Sequence, residues 1–116
     1  MEQYIYSDAS FHPPTKMAVC GFLKNNFITY QILYDTTNIK AEIHAFEMAK
    51  LNDDADYIFG SDCQKVIDNG LLHGLTMFKV KGHKPTSQKS QIDIQFSVLD
   101  KFLRKYLRQI IKDKIN

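Results

Sequence analysis

The strongest constraint on this chain's fold is the order in which its hydrophobic patterning changes period. Three early runs read as strands. Gln3 to Ser10 carries Tyr4, Ile5 and Tyr6 and stops before His12-Pro13-Pro14, and Met17 to Leu23 and Phe27 to Tyr34 follow, joined by Lys24-Asn25-Asn26. So short and polar a connection makes the second and third runs a hairpin. From there the pattern alternates. Thr36, Thr37 and Asn38 are N-cap residue types, and Ile39 to Leu51 repeats its apolar residues at helical spacing. Tyr57 to Ser61 reads as a strand, about Gln64 to Leu72 as a helix stopped near Gly74, and Thr76 to Val80 as a fifth strand. A polar loop from Gly82 to Ser90 leads into a last helix from about Gln91 to Lys112. An antiparallel start followed by two strand–helix–strand steps predicts an α/β fold with a mixed sheet, its later strands parallel to the first. Ligands of such sheets sit near the carboxyl ends of the parallel strands, where Asp8 and Asp62 fall.

With 116 residues, 44% of them hydrophobic, the chain has the apolar content for one domain around one core, residues 1–116. No apolar run approaches the roughly 18 residues of a membrane span. Cys20 and Cys63 lie far apart in a chain with no charged-then-apolar leader, so a reducing, cytoplasmic location is expected, with no membrane partner. Neither cysteine combines with His12, His44 or His73 at zinc-like spacing, and a glycine-rich phosphate loop, a nucleophile elbow and a serine–histidine–aspartate order are absent. The formal net charge is only +2, but its distribution is uneven. Most acids precede Asp62, while Lys79, Lys81, Lys84, Lys89, Lys101, Arg104, Lys105, Arg108, Lys112 and Lys114 follow. That asymmetry permits a polyanionic partner.

One residue is out of place in the Ile39–Leu51 helix. Residues three or four apart share a face, so Ile39, Glu42, Ala45, Phe46 and Ala49 form one stripe, and Glu42 lies inside it. A carboxylate turned toward a sheet is costly unless a positive charge compensates it, and Asp8 and Asp62 would add like charge at that place. A bound divalent cation resolves the conflict. Solvation of each acid at the edge of its element is the plainer alternative.

Taken in chain order, Ile5-Tyr6-Ser7-Asp8-Ala9-Ser10, Thr37-Asn38-Ile39-Lys40-Ala41-Glu42, Ser61-Asp62-Cys63-Gln64, and Val80-Lys81-Gly82-His83 with Asp93 ten residues beyond resemble the ribonuclease H family of type 1, over almost the whole chain. The resemblance implies a five-stranded mixed sheet of order 3-2-1-4-5 flanked by helices. It also implies hydrolysis of the RNA strand of an RNA–DNA hybrid with two Mg2+ ions, Mn2+ being a substitute, and no obligatory protein partner. The family's metal-binding carboxylates map onto Asp8, Glu42, Asp62 and Asp93, and its catalytic-loop histidine onto His83. Asp93 is preferred to Asp100 because Asp100 lies farther from His83 than the family pattern allows. Ser10, Asn38 and Gln64, with Lys81 and Lys84, are the implied substrate contacts. Asn38, Ser10 and Gln64 also read simply as a cap, a turn residue and the first residue of a helix.

Several positions depart from the family pattern. Ala9 stands where glycine is common, Ile39 where a second asparagine is, and Cys63 where serine is frequent. Only 20 residues separate Asp62 from His83, too few for the extra helix and basic handle of larger members, and tryptophan is absent. A charged face on the last helix, Lys101, Arg104, Lys105, Arg108 and Lys112 opposite Phe96, Leu99, Leu103, Tyr106 and Ile110, is either a solvated surface or a replacement for that handle. A domain of this fold that is inactive, or that acts on DNA within a polymerase or recombinase assembly, is the competing expectation.

Overall fold

The computed structural model describes residues 3–81 and 91–115. Strands β1 (Tyr4–His12), β2 (Met17–Lys24) and β3 (Phe27–Leu33) come first, followed by α1 (Asn38–Lys50), β4 (Ile58–Ser61), α2 (Gln64–Leu72), β5 (Met77–Lys79) and α3 (Gln91–Ile115). The five strands form one sheet in the order β3-β2-β1-β4-β5. The β1–β2 and β2–β3 pairs are antiparallel, and β1–β4 and β4–β5 are parallel. This mixed sheet packed against three helices is the architecture expected from the sequence, and it is compatible with a ribonuclease H-like fold.

Local chemistry explains the early hairpin. Asn25 and Asn26 both adopt positive φ, 50° and 67°, which gives a two-residue turn whose twist matches the flanking strands. Asparagine tolerates that conformation because its short amide bonds locally. β1 runs two residues past the expected end at Ser10, since Phe11 and His12 still pair with Ala18 and Met17.

Both faces of the sheet are covered, so β2 is buried along nearly its whole length. On one face Tyr6, Met17, Val19, Leu23 and Val80 meet Phe96, Leu99, Leu103 and Leu107 of α3. On the other, Ile5, Phe22, Phe59 and Tyr57 meet Phe46 and Ala49 of α1 and Val66 of α2. Phe46 and Phe59 cross edge to face with centroids 5.5 Å apart. Burying side chains of this size contributes roughly 1.5–3 kcal/mol each.

Three sequence expectations shift. Thr37 is the N-cap of α1, its side chain accepting from the Lys40 N–H at 3.2 Å, so Asn38 is the first helical residue rather than the cap. Ile39 is 41% exposed and falls outside the buried stripe, which runs Ala41, Glu42, Ala45, Phe46, Ala49. On α3, Leu107 takes the buried place expected of Tyr106, because the spacing continues from Leu103 by four residues instead of three. Among the described residues, no helix is long and apolar enough to cross a membrane.

Candidate metal centre

The site is built by strand register. Tyr4, Ile5 and Tyr6 of β1 lie beside Ile58, Phe59 and Gly60 of β4 in parallel. Counting two residues beyond Tyr6 and Gly60 reaches Asp8 and Asp62. The two acids therefore lie just beyond the paired segment, Asp8 on β1 and Asp62 immediately after β4, on a pair of strands spaced about 4.8 Å apart. β4 ends at Ser61 while β1 continues, so the acids lie at the carboxyl end of the parallel pair, where ligands of such sheets bind. The fully buried Ser61 shapes that end: its hydroxyl accepts from the Cys63 N–H at 3.1 Å, holding the bend that carries Asp62.

Glu42 reaches the same place from α1. Ala41, Ala45 and Ala49 are fully buried around it, and their small side chains let the helix lie close to the sheet. Oxygen atoms of Asp8, Glu42 and Asp62 all lie within 4.8 Å of one another. Asp8 and Glu42 are only 4% and 7% exposed, whereas Asp62 is open to solvent.

Such crowding leaves a visible electrostatic cost. Burial, followed by the charges of Glu42, Asp62 and Asp100, pushes the Asp8 carboxyl well above its ordinary range, against the lowering effect of the Ala9 N–H. Burial and Asp62 push Glu42 up to about 8, although hydrogen bonds from Asp8 and the Ala9 backbone lower it. Asp8 Oδ2 and Glu42 Oε1 are buried with no hydrogen-bond partner. An unsatisfied buried carboxylate oxygen is expensive, and a cation held by this group would compensate both. The donor set consists entirely of carboxylate oxygens drawn from a strand, a helix and a strand end. That chemistry suits a hard divalent ion such as magnesium or manganese, so these residues fit such an ion.

The two acids of α3 separate clearly. Seven residues of helix put Asp93 and Asp100 on nearly the same face about 10 Å apart along the axis, so both cannot meet one triad. Asp100 is the one whose charge acts on both Asp8 and Glu42. Asp93 is buried, and its charge acts on Tyr6, whose hydroxyl is pushed up to about 12 by burial first and then by Tyr4 and Asp93. Neither lies within the three-acid group itself. Asp100 is held by Arg104, with Nη2 2.6 Å from Oδ2. The sequence presents Arg104 as part of a charged stripe, and its four-residue spacing from Asp100 is the signal for this ion pair.

The expected substrate contacts differ in their surroundings. Asn38 is exposed at the start of α1, with capping already performed by Thr37. Gln64 is exposed but engaged: its Oε1 accepts from Lys79 Nζ at 2.7 Å and its Nε2 donates to Asp68 at 2.8 Å. Ser10 is half-buried on β1 beside Val19 of β2, and Lys81 is exposed just past β5. His83, Lys84 and Lys89 lie outside the described residues. Lys101, Arg104, Lys105, Arg108 and Lys112 are all exposed on α3, beginning one residue past Asp100. Comparison with protein-family models and with curated proteins returned no match, so the reading of this site rests on its own geometry.

Proposed function

We propose that this protein is a metal-dependent endonuclease that hydrolyses the RNA strand of RNA–DNA hybrids. The observation that carries the proposal is the convergence of Asp8, Glu42 and Asp62 with two buried, unpartnered carboxylate oxygens. In this reading Asp8, Glu42 and Asp62 hold divalent cations, and Asp100, whose charge already acts on Asp8 and Glu42, completes the set in place of Asp93. Cations bound there supply the charge that makes a water nucleophilic and stabilises a departing alkoxide.

The chain's own residues do the rest. The Ala9 N–H steadies Asp8 and Glu42, and Ser61 fixes the bend that presents Asp62. Lys79, Lys81 and the α3 cations, all exposed, meet the phosphate backbone in this reading. Distinguishing a hybrid from duplex DNA requires groups that pair with a ribose hydroxyl, both donor and acceptor. Asn38, freed from capping, and Ser10 supply such groups, and Gln64 is held in a single orientation by Lys79 and Asp68. His83 is proposed to assist proton transfer or product departure.

The test is cleavage of end-labelled RNA–DNA hybrid, duplex DNA and duplex RNA with magnesium or manganese, beside calorimetric titration of magnesium. Cleavage confined to the RNA of the hybrid, with metal binding abolished by Asp62→Asn, is the expected result. Cleavage of duplex DNA instead would redirect the proposal to a DNA nuclease. Magnesium binding without any cleavage would leave a metal-binding domain that is not a nuclease.

A further inference from the structure

The two edges of the sheet are protected very differently. β5 is three residues long and ends in Lys79, and shortness and lysine both discourage edge-to-edge pairing. β3, at the opposite edge, is seven residues long, Phe-Ile-Thr-Tyr-Gln-Ile-Leu, with no charge, no proline and no glycine. It pairs one to one with β2 from Phe27 opposite Lys24 to Leu33 opposite Ala18, so no bulge bends the edge away. None of its residues is fully buried, and Phe27 is 78% and Tyr30 41% exposed. A regular strand of this kind offers an open row of backbone donors and acceptors to another strand.

We infer that β3 is a dimerisation edge, and that its occupant is β3 of a second copy of this chain. The strand is its own complement. Antiparallel pairing about a two-fold axis at Tyr30 brings all seven residues into register: Phe27 faces Leu33, Ile28 faces Ile32, Thr29 faces Gln31, and Tyr30 faces itself. Each pair joins apolar to apolar or polar to polar, and no like charges oppose each other. Facing residues also share a side of the sheet. Ile28, Ile32 and Tyr30 lie on the α3 side, Tyr30 with its ring centroid 4.7 Å from that of Tyr106, while Gln31 reaches His44 of α1 at 3.0 Å. A formal net charge of +2 adds little long-range repulsion between copies.

The geometry has two consequences. The two-fold axis stands perpendicular to the sheet, so the joined sheet has ten strands and both α3 helices lie on one side, their basic faces on a common surface. The acid triads remain clear of the seam, because β2 lies between β3 and β1. The inference stands independently of the nuclease reading.

Sedimentation equilibrium of the full chain from micromolar to millimolar concentration tests it. The expected result is a concentration-dependent mass rising from 13.5 kDa toward twice that value. Combining Thr29→Lys with Gln31→Lys sets lysine against lysine at two places across the seam and is expected to hold the mass at the monomer value. Mixing that variant with one carrying Thr29→Glu and Gln31→Glu is expected to restore the doubled mass as a mixed pair. Circular dichroism matching the parent establishes that both variants fold. A parent chain that stays monomeric throughout overturns the inference, as does a double-lysine variant that dimerises as well as the parent.

Discussion

Carboxylate oxygens of Asp8 and Glu42 lie within 4.8 Å of each other, and each residue leaves one oxygen buried without a hydrogen-bond partner. Two acids so close and so dry cannot both ionise without cost. A group whose pKa rises on folding binds more protons folded than unfolded, so its stability contribution is present below the ordinary value of 4.5 and lost as pH rises through about 8. Metal-free protein should therefore lose thermal stability between about pH 5 and pH 8, by on the order of a few kcal/mol. Magnesium should flatten or reverse that slope, because a bound cation favours the ionised acids. Melting curves across this range with chelator and with magnesium check it, and a metal-free melting temperature that climbs with pH would count against it.

Asp8→Asn, Glu42→Gln and Asp62→Asn are each expected to lower hybrid cleavage by about 10²-fold or more, since each removes an anionic oxygen that holds the cation. All three should fold. Metal-free stability near pH 8 should hold level or rise, because a like charge has been removed from a crowded site. Retention of more than a few per cent of the parent's activity by Asp62→Asn would sink the assignment.

Asp100→Asn and Asp93→Asn should behave differently despite sitting on the same side of α3. Asp100→Asn is expected to weaken magnesium binding and cleavage together. Asp93→Asn should leave magnesium affinity alone and lower the pKa of the Tyr6 hydroxyl, which Asp93 helps to raise. Calorimetry combined with ultraviolet titration of the tyrosines separates the two, and equal loss of metal affinity in both variants would contradict the placement.

Thr37→Ala and Asn38→Ala form a paired test at the start of α1. Removing the Thr37 hydroxyl leaves the Lys40 N–H without its cap and should cost about 1 kcal/mol. Asn38→Ala should stay within about 0.5 kcal/mol of the parent, as an exposed substitution does, yet reduce the preference for hybrid over duplex DNA. Urea unfolding measures the first effect and competition cleavage the second. A stability loss at Asn38 with unchanged preference would return that residue to a purely structural role.

Replacing Lys101, Arg104, Lys105 and Arg108 by Gln tests the outer face of α3. Each phosphate contact contributes a log–log salt slope of roughly 0.7 to 0.9 through counterion release, so the variant should bind hybrid with a flatter slope. Its Michaelis constant should rise. Replacing Arg104 also frees Asp100 from its ion pair, so Arg104→Gln alone is the control for effects on turnover. An unchanged salt slope in the quadruple variant would show that this face meets only water.

Period and punctuation in the sequence determined the elements, because a helix and a strand repeat their apolar residues at different intervals and Asn25-Asn26 suits a two-residue turn. They also exposed Glu42 as an acid inside an apolar stripe, since face membership on a helix follows from spacing alone. What spacing could not supply was the level at which separate elements meet. Asp8 and Asp62 are 54 positions apart, and only the parallel register of β1 and β4 brings them side by side. Asp93 and Asp100 were distinguished in the sequence by their distance from His83, whereas in the fold they differ by two helical turns in how far α3 has travelled along the sheet. Which of them feels the triad depends on where Phe96, Leu99, Leu103 and Leu107 seat that helix against Met17, Val19 and Leu23. Packing of this kind is a sum of contacts from distant parts of the chain, and no local pattern encodes it.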